Sequence, residues 1–306
     1  MIVVRISGGL GNQMYQYALL LSLQKKYSMT KVLADIFDYE KIYAHTGFSL
    51  EKYFELEVEK ATREEINNVA YVPVEMQYDM QNYYKLNHIE RVIYKYKLRK
   101  RKEKKIFNIE QQQFNDYYEY LYGLDQKCDW YISGYWQNTL YFEEYLPQLR
   151  EKFKFKRKLN AVDLKILEKI RNSNSVSVHV RRGDYVNSEF DLCGQDYYMK
   201  AKSIIDKKIE KPHYFFFTDD AEFVKKTFGH WENVTIVEHS AEDCDYDLYL
   251  MSQCKNHIMA NSSFSAWGTL LSINQGINIA PRYTMKKNNI LFRTLFVKDW
   301  IYIDTN

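Results

Sequence analysis

The chain is short of several things, and each shortage removes a class of protein. Only four of its 306 residues are Cys (128, 193, 244 and 254), and no two of them stand in a C-x-x-C pair. Free thiols in a reducing compartment fit that usage better than a disulfide framework does. Four Pro and eleven Gly argue against collagen-like or long disordered tracts. No apolar run approaches the roughly 20 residues that span a bilayer, and the opening M-I-V-V-R-I-S-G-G lacks a signal-peptide pattern. A soluble, cytoplasmic protein is the expectation. Neither sign of charge dominates, since 43 Lys and Arg against 40 Asp and Glu leave a net +3. The chain as a whole is therefore no nucleic-acid or polyanion binder.

Twenty-eight Tyr are present, and the length suits one large or two medium domains. The most informative stretch is Ser175–Glu189, S-V-S-V-H-V-R-R-G-D-Y-V-N-S-E. Alternating Val176, Val178 and Val180 give the period of a strand. The strand ends by delivering His179, Arg181, Arg182 and Asp184, which places charge at the mouth of a sheet, where open α/β sheets bind ligands. Paired guanidiniums suit a diphosphate, because they stay protonated and their fork matches phosphate oxygens. A structural ion pair between Asp184 and one Arg would account for part of the same pattern.

Earlier, Ile2–Ile6 reads as a strand, followed by S-G-G-L-G-N-Q and a helix to about Tyr27. This is a Rossmann-like opening, but the third glycine of G-x-G-x-x-G is replaced by Met14, which speaks against a dinucleotide-binding oxidoreductase. The glycines would let another molecule approach the backbone, with Asn12 and Gln13 offering polar groups; a tight turn capped by Asn12 explains them equally. Lys31–Ile36 is a second strand. From about Asp38 to Lys127 the periodicity is muddled, and helices with long loops are expected. Within it Arg91–Lys105 carries nine Lys or Arg and one Glu. Such a basic face is a candidate for peripheral contact with an anionic membrane, although a solvated face explains it too. The aromatics of Trp130–Gln137 are candidates for stacking on a sugar or for the core.

After Lys152–Lys158, α/β alternation becomes regular, which implies a parallel sheet with right-handed crossovers. The expected fold is α/β, two Rossmann-like lobes facing a cleft. An acceptor-side domain with an irregular insert would occupy residues 1–155, and a nucleotide-sugar domain 156–306. In the second lobe three strand ends carry polar clusters: His179–Asp184, Thr218-Asp219-Asp220, and Asn261-Ser262-Ser263-Phe264-Ser265. The last opens a helix, whose free N–H groups form an anion site, though Ser262 or Ser263 could simply cap it. The acids from Glu242 to Asp247 also open a helix, where the dipole favours them. One of them could accept the paired N–H groups of a guanine edge; a D-x-D metal site at Asp243 and Asp245 is disfavoured, since two arginines and a helix terminus could already neutralise a diphosphate.

Four motifs carry a family resemblance: G-G-L-G-N-Q-M-Y-Q-Y-A at Gly8–Ala18, H-V-R-R-G-D-Y at His179–Tyr185, F-F-T-D-D at Phe216–Asp220, and N-S-S-F-S-A-W-G at Asn261–Gly268. In this order they resemble the bacterial α-1,2-fucosyltransferases of glycosyltransferase family 11. The resemblance implies a GT-B-like pair of lobes, GDP-fucose as donor, no metal or other cofactor, and inversion at the anomeric carbon. The acceptor would be a β-galactoside-terminated glycan of surface polysaccharide or O-antigen, fucosylated on the galactose 2-hydroxyl. It further implies Arg181 and Arg182 on the diphosphate, His179 beside the nucleotide and Asp184 orienting an Arg. Similarity to the α-1,6 enzymes puts Asp247 on guanine, Ser263 on a phosphate and Glu189 at the position of their catalytic Glu. Similarity to protein O-fucosyltransferases puts Asn12 at the reaction centre. Gly11, Thr218, Asp219, Asp220, Asn261, Ser262 and Phe264 complete the implied donor set. Asp191 is a second candidate base beside Glu189. An α-1,6-fucosyltransferase or another GDP-sugar enzyme is the nearest alternative.

Overall fold

The structure is a computed structural model that describes residues 1–41, 47–70, 87–103, 105–113, 115–286 and 299–305. Of the helical residues 40, 41, 94, 95, 97–99 and 101–103 only the backbone is described. The chain divides into two units, Met1–Lys152 and Phe153–Asn306.

The first unit is built on four parallel strands: β1 (Ile2–Arg5), β2 (Val32–Asp35), β3 (Ile106–Glu110) and β4 (Asp129–Ser133). They lie in the order β2-β1-β4-β3. Helix α1 (Leu10–Lys26) follows β1, and every residue from Leu10 to Leu23 except Asn12 is buried. A helix this apolar on all sides is a core element, and Lys25 and Lys26 close it on the side the dipole favours. Shorter helices follow: α2 (Asp38–Lys41), α3 (Leu50–Tyr53) and α4 (Arg63–Val69). Thr62 and Glu65 close a reciprocal capping box on α4. Helix α5 (His88–Glu103) carries most of the basic stretch, of which Lys104 lies outside the described residues. Helix α6 (Leu146–Lys152) ends the unit. The expected insert over 38–127 thus contains a strand the periodicity hides. In β3, at one edge of the sheet, only Ile109 is buried, so the strand shows no alternating apolar face. Residues 42–46 and 71–86 of that stretch lie outside the described ones.

The second unit runs α7 (Ala161–Arg171), β5 (Asn174–Val180), α8 (Gln195–Lys208), β6 (Pro212–Thr218), α9 (Ala221–Phe228) and β7 (Val234–Val237). It continues through α10 (Cys244–Gln253), β8 (Asn256–Ile258), α11 (Ser263–Leu270), β9 (Asn278–Pro281) and β10 (Ile301–Ile303). All six strands are parallel, in the order β10-β9-β8-β5-β6-β7. This is the Rossmann order, with β5 as its first strand.

Side chains alternate across the sheet as the strand period requires. Tyr214 and Phe216 pack with Val176, Val178 and Val180 against Tyr197, Ala201, Val224 and Phe228 of α8 and α9. Phe215 and Phe217 pack on the other face against Leu167, Ile170, Leu250 and Met251 of α7 and α10. With helices on both faces, β5 is buried from Ser175 to Val180. Among the described residues no helix is long and apolar enough to cross a membrane.

Candidate functional site

Where the order of strand addition reverses, a crevice opens beyond the carboxyl ends of two neighbouring strands. In the second unit it lies between β5 and β8. Three of the sequence clusters arrive there. The β5–β6 register sets His179 opposite Phe217 and Val180 opposite Thr218, so His179–Asp184 and Thr218–Asp220 leave the sheet side by side. Asn261–Phe264 leaves from β8. Tyr185 Oη donates to the Asn261 carbonyl at 3.4 Å, and the Phe264 ring lies 5.6 Å from that of His179.

Aspartates set the arginine loop. Asp219 accepts from the backbone N–H of Arg182 at 2.8 Å and of Gly183 at 3.1 Å, and pairs with the Arg181 guanidinium at 2.8 Å. Arg181 also donates to Asp184 at 2.7 Å. The Gly183 backbone approaches Asp219 closely enough that a Cβ there would meet its Oδ2 at 2.9 Å. Arg182 lies 3.7 Å over the Phe223 ring and donates through Nε to Asp220 at 3.0 Å. Asp220 in turn caps α9 by accepting from Phe223 N–H, the main reason its carboxyl lies below the usual carboxylate range. Both arginine side chains keep about a third of their surface open, 35% for Arg181 and 29% for Arg182, so they are oriented without being sealed.

Two tyrosines of α8 fix the strand ends: Tyr198 Oη donates to the His179 carbonyl at 2.9 Å and Tyr197 Oη to Met259 at 2.6 Å. The His179 ring is buried, and its Nδ1 finds no partner among the described residues. Burial, reinforced by the Arg181 charge, lowers its pKa to about 4, so the ring is neutral at pH 7. A buried nitrogen without a partner costs about 1–3 kcal/mol unless a ligand supplies one. Helix α11 begins at Ser263 after Ser262 at the N-cap position, and Ser262 makes no side-chain cap bond. The positive end of the helix dipole there favours an anion.

In the first unit β1 and β4 are neighbours, and the groups beyond their carboxyl ends are amides. Gln16 Nε2 donates to the Gly134 carbonyl at 2.9 Å and Gln13 Nε2 to those of Gly8 and Gly47 at 3.0 and 2.9 Å. Asn12 Oδ1 accepts from Gln137 Nε2 at 2.8 Å. Asn12 is not the cap of α1; Gly9 holds that position, with no side-chain bond. Gly11 is buried in the first turn. Glu189 is exposed in the loop after Asp184, where its carbonyl accepts from Lys286 N–H at 2.9 Å. Asp191 lies 4.0 Å from Lys286 Nζ.

A model of glycosyl transferase family 11 matches residues 1–304. The chain belongs to that family. Among relatives, an alpha-1,2-colitosyltransferase of Escherichia coli is 32% identical, with 99% of each chain covered. The O-antigen biosynthesis glycosyltransferase WbnK of Escherichia coli is 29% identical over 93% of this chain and 95% of that protein. Among solved structures, the fucosyltransferase NodZ from Bradyrhizobium has a TM-score of 0.50 at 17% identity, covering 89% of this chain and 92% of that one. The NodZ alpha-1,6-fucosyltransferase co-crystallized with GDP has a TM-score of 0.51 at 16% identity, with 89% and 92% covered. At these identities the likeness is one of fold, two Rossmann-like units of the GT-B kind.

For a family 11 glycosyltransferase, one cluster escapes the sequence motifs. Asp247 accepts from His239 Nδ1 at 2.7 Å, and His239 Nε2 lies 3.0 Å from Asp163. The acids proposed as a D-x-D pair face a cation from the protein itself. Arg157 donates through Nη1 to Asp243 at 2.9 Å and through Nε to Asp245 at 2.7 Å. His239 follows β7 directly, so its place just past a strand end, eight residues before Asp247, was the available signal.

Proposed function

We propose that this glycosyltransferase transfers L-fucose from GDP-fucose to the 2-hydroxyl of a galactose, with inversion and without a metal ion. The observation that carries the reading is the convergence at the β5/β8 crevice: two half-open guanidiniums, the N-terminus of α11, and a neutral His179 with an unpartnered Nδ1. A nucleoside diphosphate has a complement for each: oxygens for the cations and helix terminus, a hydroxyl or base edge for the imidazole. Arg182 uses only Nε on Asp220 among the described contacts, which leaves its Nη groups to the ligand. The diphosphate would leave with its developing charge met by Arg181, Arg182 and the positive end of the α11 dipole. Such preorganised donors are usually the largest catalytic contribution. Asp184 and Asp219 orient Arg181, and Asp220 orients Arg182. Asp247 takes the guanine edge, and Asn12 positions the attacking hydroxyl, its own oxygen turned by Gln137. Glu189 or Asp191 would serve as base, or the route is dissociative enough to need none.

The colitosyltransferase relative favours a second reading within the same chemistry. Colitose is fucose without its 3-hydroxyl, so GDP-colitose would fill the same diphosphate site. The NodZ fold keeps α-1,6 linkage as an outcome to be tested. In both readings the glycan belongs to a surface polysaccharide, in keeping with the name of the WbnK relative. Contact of α5 with an anionic membrane extends the proposal. The basic stretch is joined there by exposed Ile89, Val92, Ile93 and Tyr96 at one-turn spacing. Cosedimentation with phosphatidylglycerol vesicles tests that part.

The experiment is incubation with GDP-fucose or GDP-colitose and a panel of β-galactosides in EDTA, with linkage analysis of any product. Fucose on the galactose 2-hydroxyl is the expected result. Preference for GDP-colitose moves the donor to the second reading, a 1,6-linkage moves the acceptor chemistry, and failure to bind GDP overturns both.

A further inference from the structure

The cluster beside β7 has a feature that a simple ion pair lacks. Both ring nitrogens of His239 face carboxylate oxygens, Asp247 at 2.7 Å and Asp163 at 3.0 Å. Both nitrogens can donate to ionised carboxylates only when the ring is an imidazolium. Burial opposes that charge, but the two carboxylates, Asp247 foremost, outweigh it and hold the pKa at about 9. The second nitrogen matters because it fixes the ring plane. Asp163 is in the first turn of α7 and Asp247 in the first turn of α10, so one ring joins two helix starts to the end of β7. Arg157 holds Asp243 and Asp245 and lies 4.3 Å over the Tyr246 ring, whose centre is 5.6 Å from that of His239.

The two carboxylates differ in access. Asp163 is 1% exposed, whereas Asp247 keeps 15% of its side chain open. Only Asp247 can reach a ligand. Its burial pushes its carboxyl up, and His239 is the first group opposing that. This opposition decides what Asp247 can recognise. A guanine edge presents two adjacent donors, N1–H and the 2-amino group, and needs two acceptor oxygens. A protonated carboxyl offers one acceptor and one donor, a mismatch.

We infer that His239 is a positioning residue for nucleobase selectivity: clamped by Asp163, it keeps Asp247 ionised and aimed so that the carboxylate accepts from the guanine edge. This rests on the proposal that Asp247 meets guanine. A staple between helix ends alone would affect stability without affecting the choice of base.

Titration of the full-length protein with GDP and IDP separates these roles, because IDP keeps N1–H and lacks the 2-amino group. Wild type should favour GDP on the order of tenfold. In His239→Asn that ratio should fall to about twofold or less, mostly through loss of GDP affinity. Asp163→Ala should narrow it less, since Asp247 still faces the ring but the ring plane is no longer fixed; this variant decides the matter if His239→Asn does not fold. An unchanged GDP:IDP ratio in the folded variant overturns the inference. Asp247→Asn checks the underlying assignment, because an amide turns selectivity from GDP toward xanthosine diphosphate. If Asp247→Asn leaves GDP binding intact, the guanine assignment fails; if it shifts selectivity while the His239 variant does not, only the positioning role fails.

Discussion

The two units build the same device, the carboxyl ends of two neighbouring parallel strands, and fill it with opposite chemistry. At the β5/β8 crevice the polar groups are two arginines, four aspartate or histidine side chains and a helix N-terminus. At the β1/β4 crevice they are the amides of Asn12, Gln13, Gln16 and Gln137, turned by one another and by backbone carbonyls. Charge suits a phosphate whose own charge changes during reaction. Neutral amides suit a hydroxyl that must be oriented without being held as an ion. The comparison teaches that the scaffold provides only the crevice; the first residues beyond each strand decide what enters it.

The largest effect should come from the charged crevice. Arg182→Ala removes the guanidinium aimed by Asp220 and should lower kcat/KM for sugar transfer on the order of 10³-fold. Thermal melting should change little, since the side chain is partly open. Undiminished turnover would remove the arginines from the mechanism. A smaller effect is expected at the amide crevice. Asn12→Ala should lower kcat about 100-fold, as misplacement of one reactant does, while the GDP-fucose KM stays near the wild-type value. A large rise in donor KM instead would mean that the amides hold the donor, and the contrast between the crevices would collapse.

Much of the charged crevice was legible because it is local in sequence. Val176, Val178 and Val180 announce a strand, and the residues just beyond a buried strand must lie at a sheet edge. Three strands read that way already assemble the site. The amide crevice was less legible, since Asn12 meets Gln137 across 125 residues and no periodicity encodes that contact. Two of the edge strands, β3 and β10, were the least legible. β3 buries only Ile109 and β10 has three residues, so neither shows an alternating apolar face. His239 escaped for another reason: a lone His after a strand has no motif, and its role comes from Asp163 and Asp247, which arrive on two different helices.

A glycine sharpens the contrast at lower magnitude. Gly8 has φ +80°, and a Cβ there would meet Asn12 Nδ2 at 2.9 Å. Gly8→Ala should therefore act twice. The left-handed backbone costs roughly 1–2 kcal/mol, lowering Tm by a few degrees, and the displaced Asn12 lowers kcat about tenfold on the scale of misplacement effects. Gly183 is not in the left-handed region, so Gly183→Ala should spare Tm and raise the donor KM by displacing Asp219 from the arginine loop. Equal Tm losses in both variants would contradict the different reasons for the two glycines.

A last contrast is in pH dependence, where two histidines of the second unit should act with opposite sign. His179 is held neutral, its pKa lowered by burial from 6.5 to about 4. Between those values the unfolded chain binds a proton that the native state does not, so stability falls as pH drops from 6.5 toward 4. His239 is raised from 6.5 to about 9, so over that window the native state holds the extra proton. Its contribution is complete below pH 6.5 and is lost as pH rises through 9. Each slope is bounded by one proton, about 1.4 kcal/mol per pH unit. Urea unfolding across pH 4–10 should therefore show an acid limb that flattens in His179→Gln and an alkaline limb that flattens in His239→Asn. If both variants flatten the same limb, the two histidines share an environment, and the division between an imidazole kept neutral for a ligand and an imidazolium kept for Asp247 is wrong.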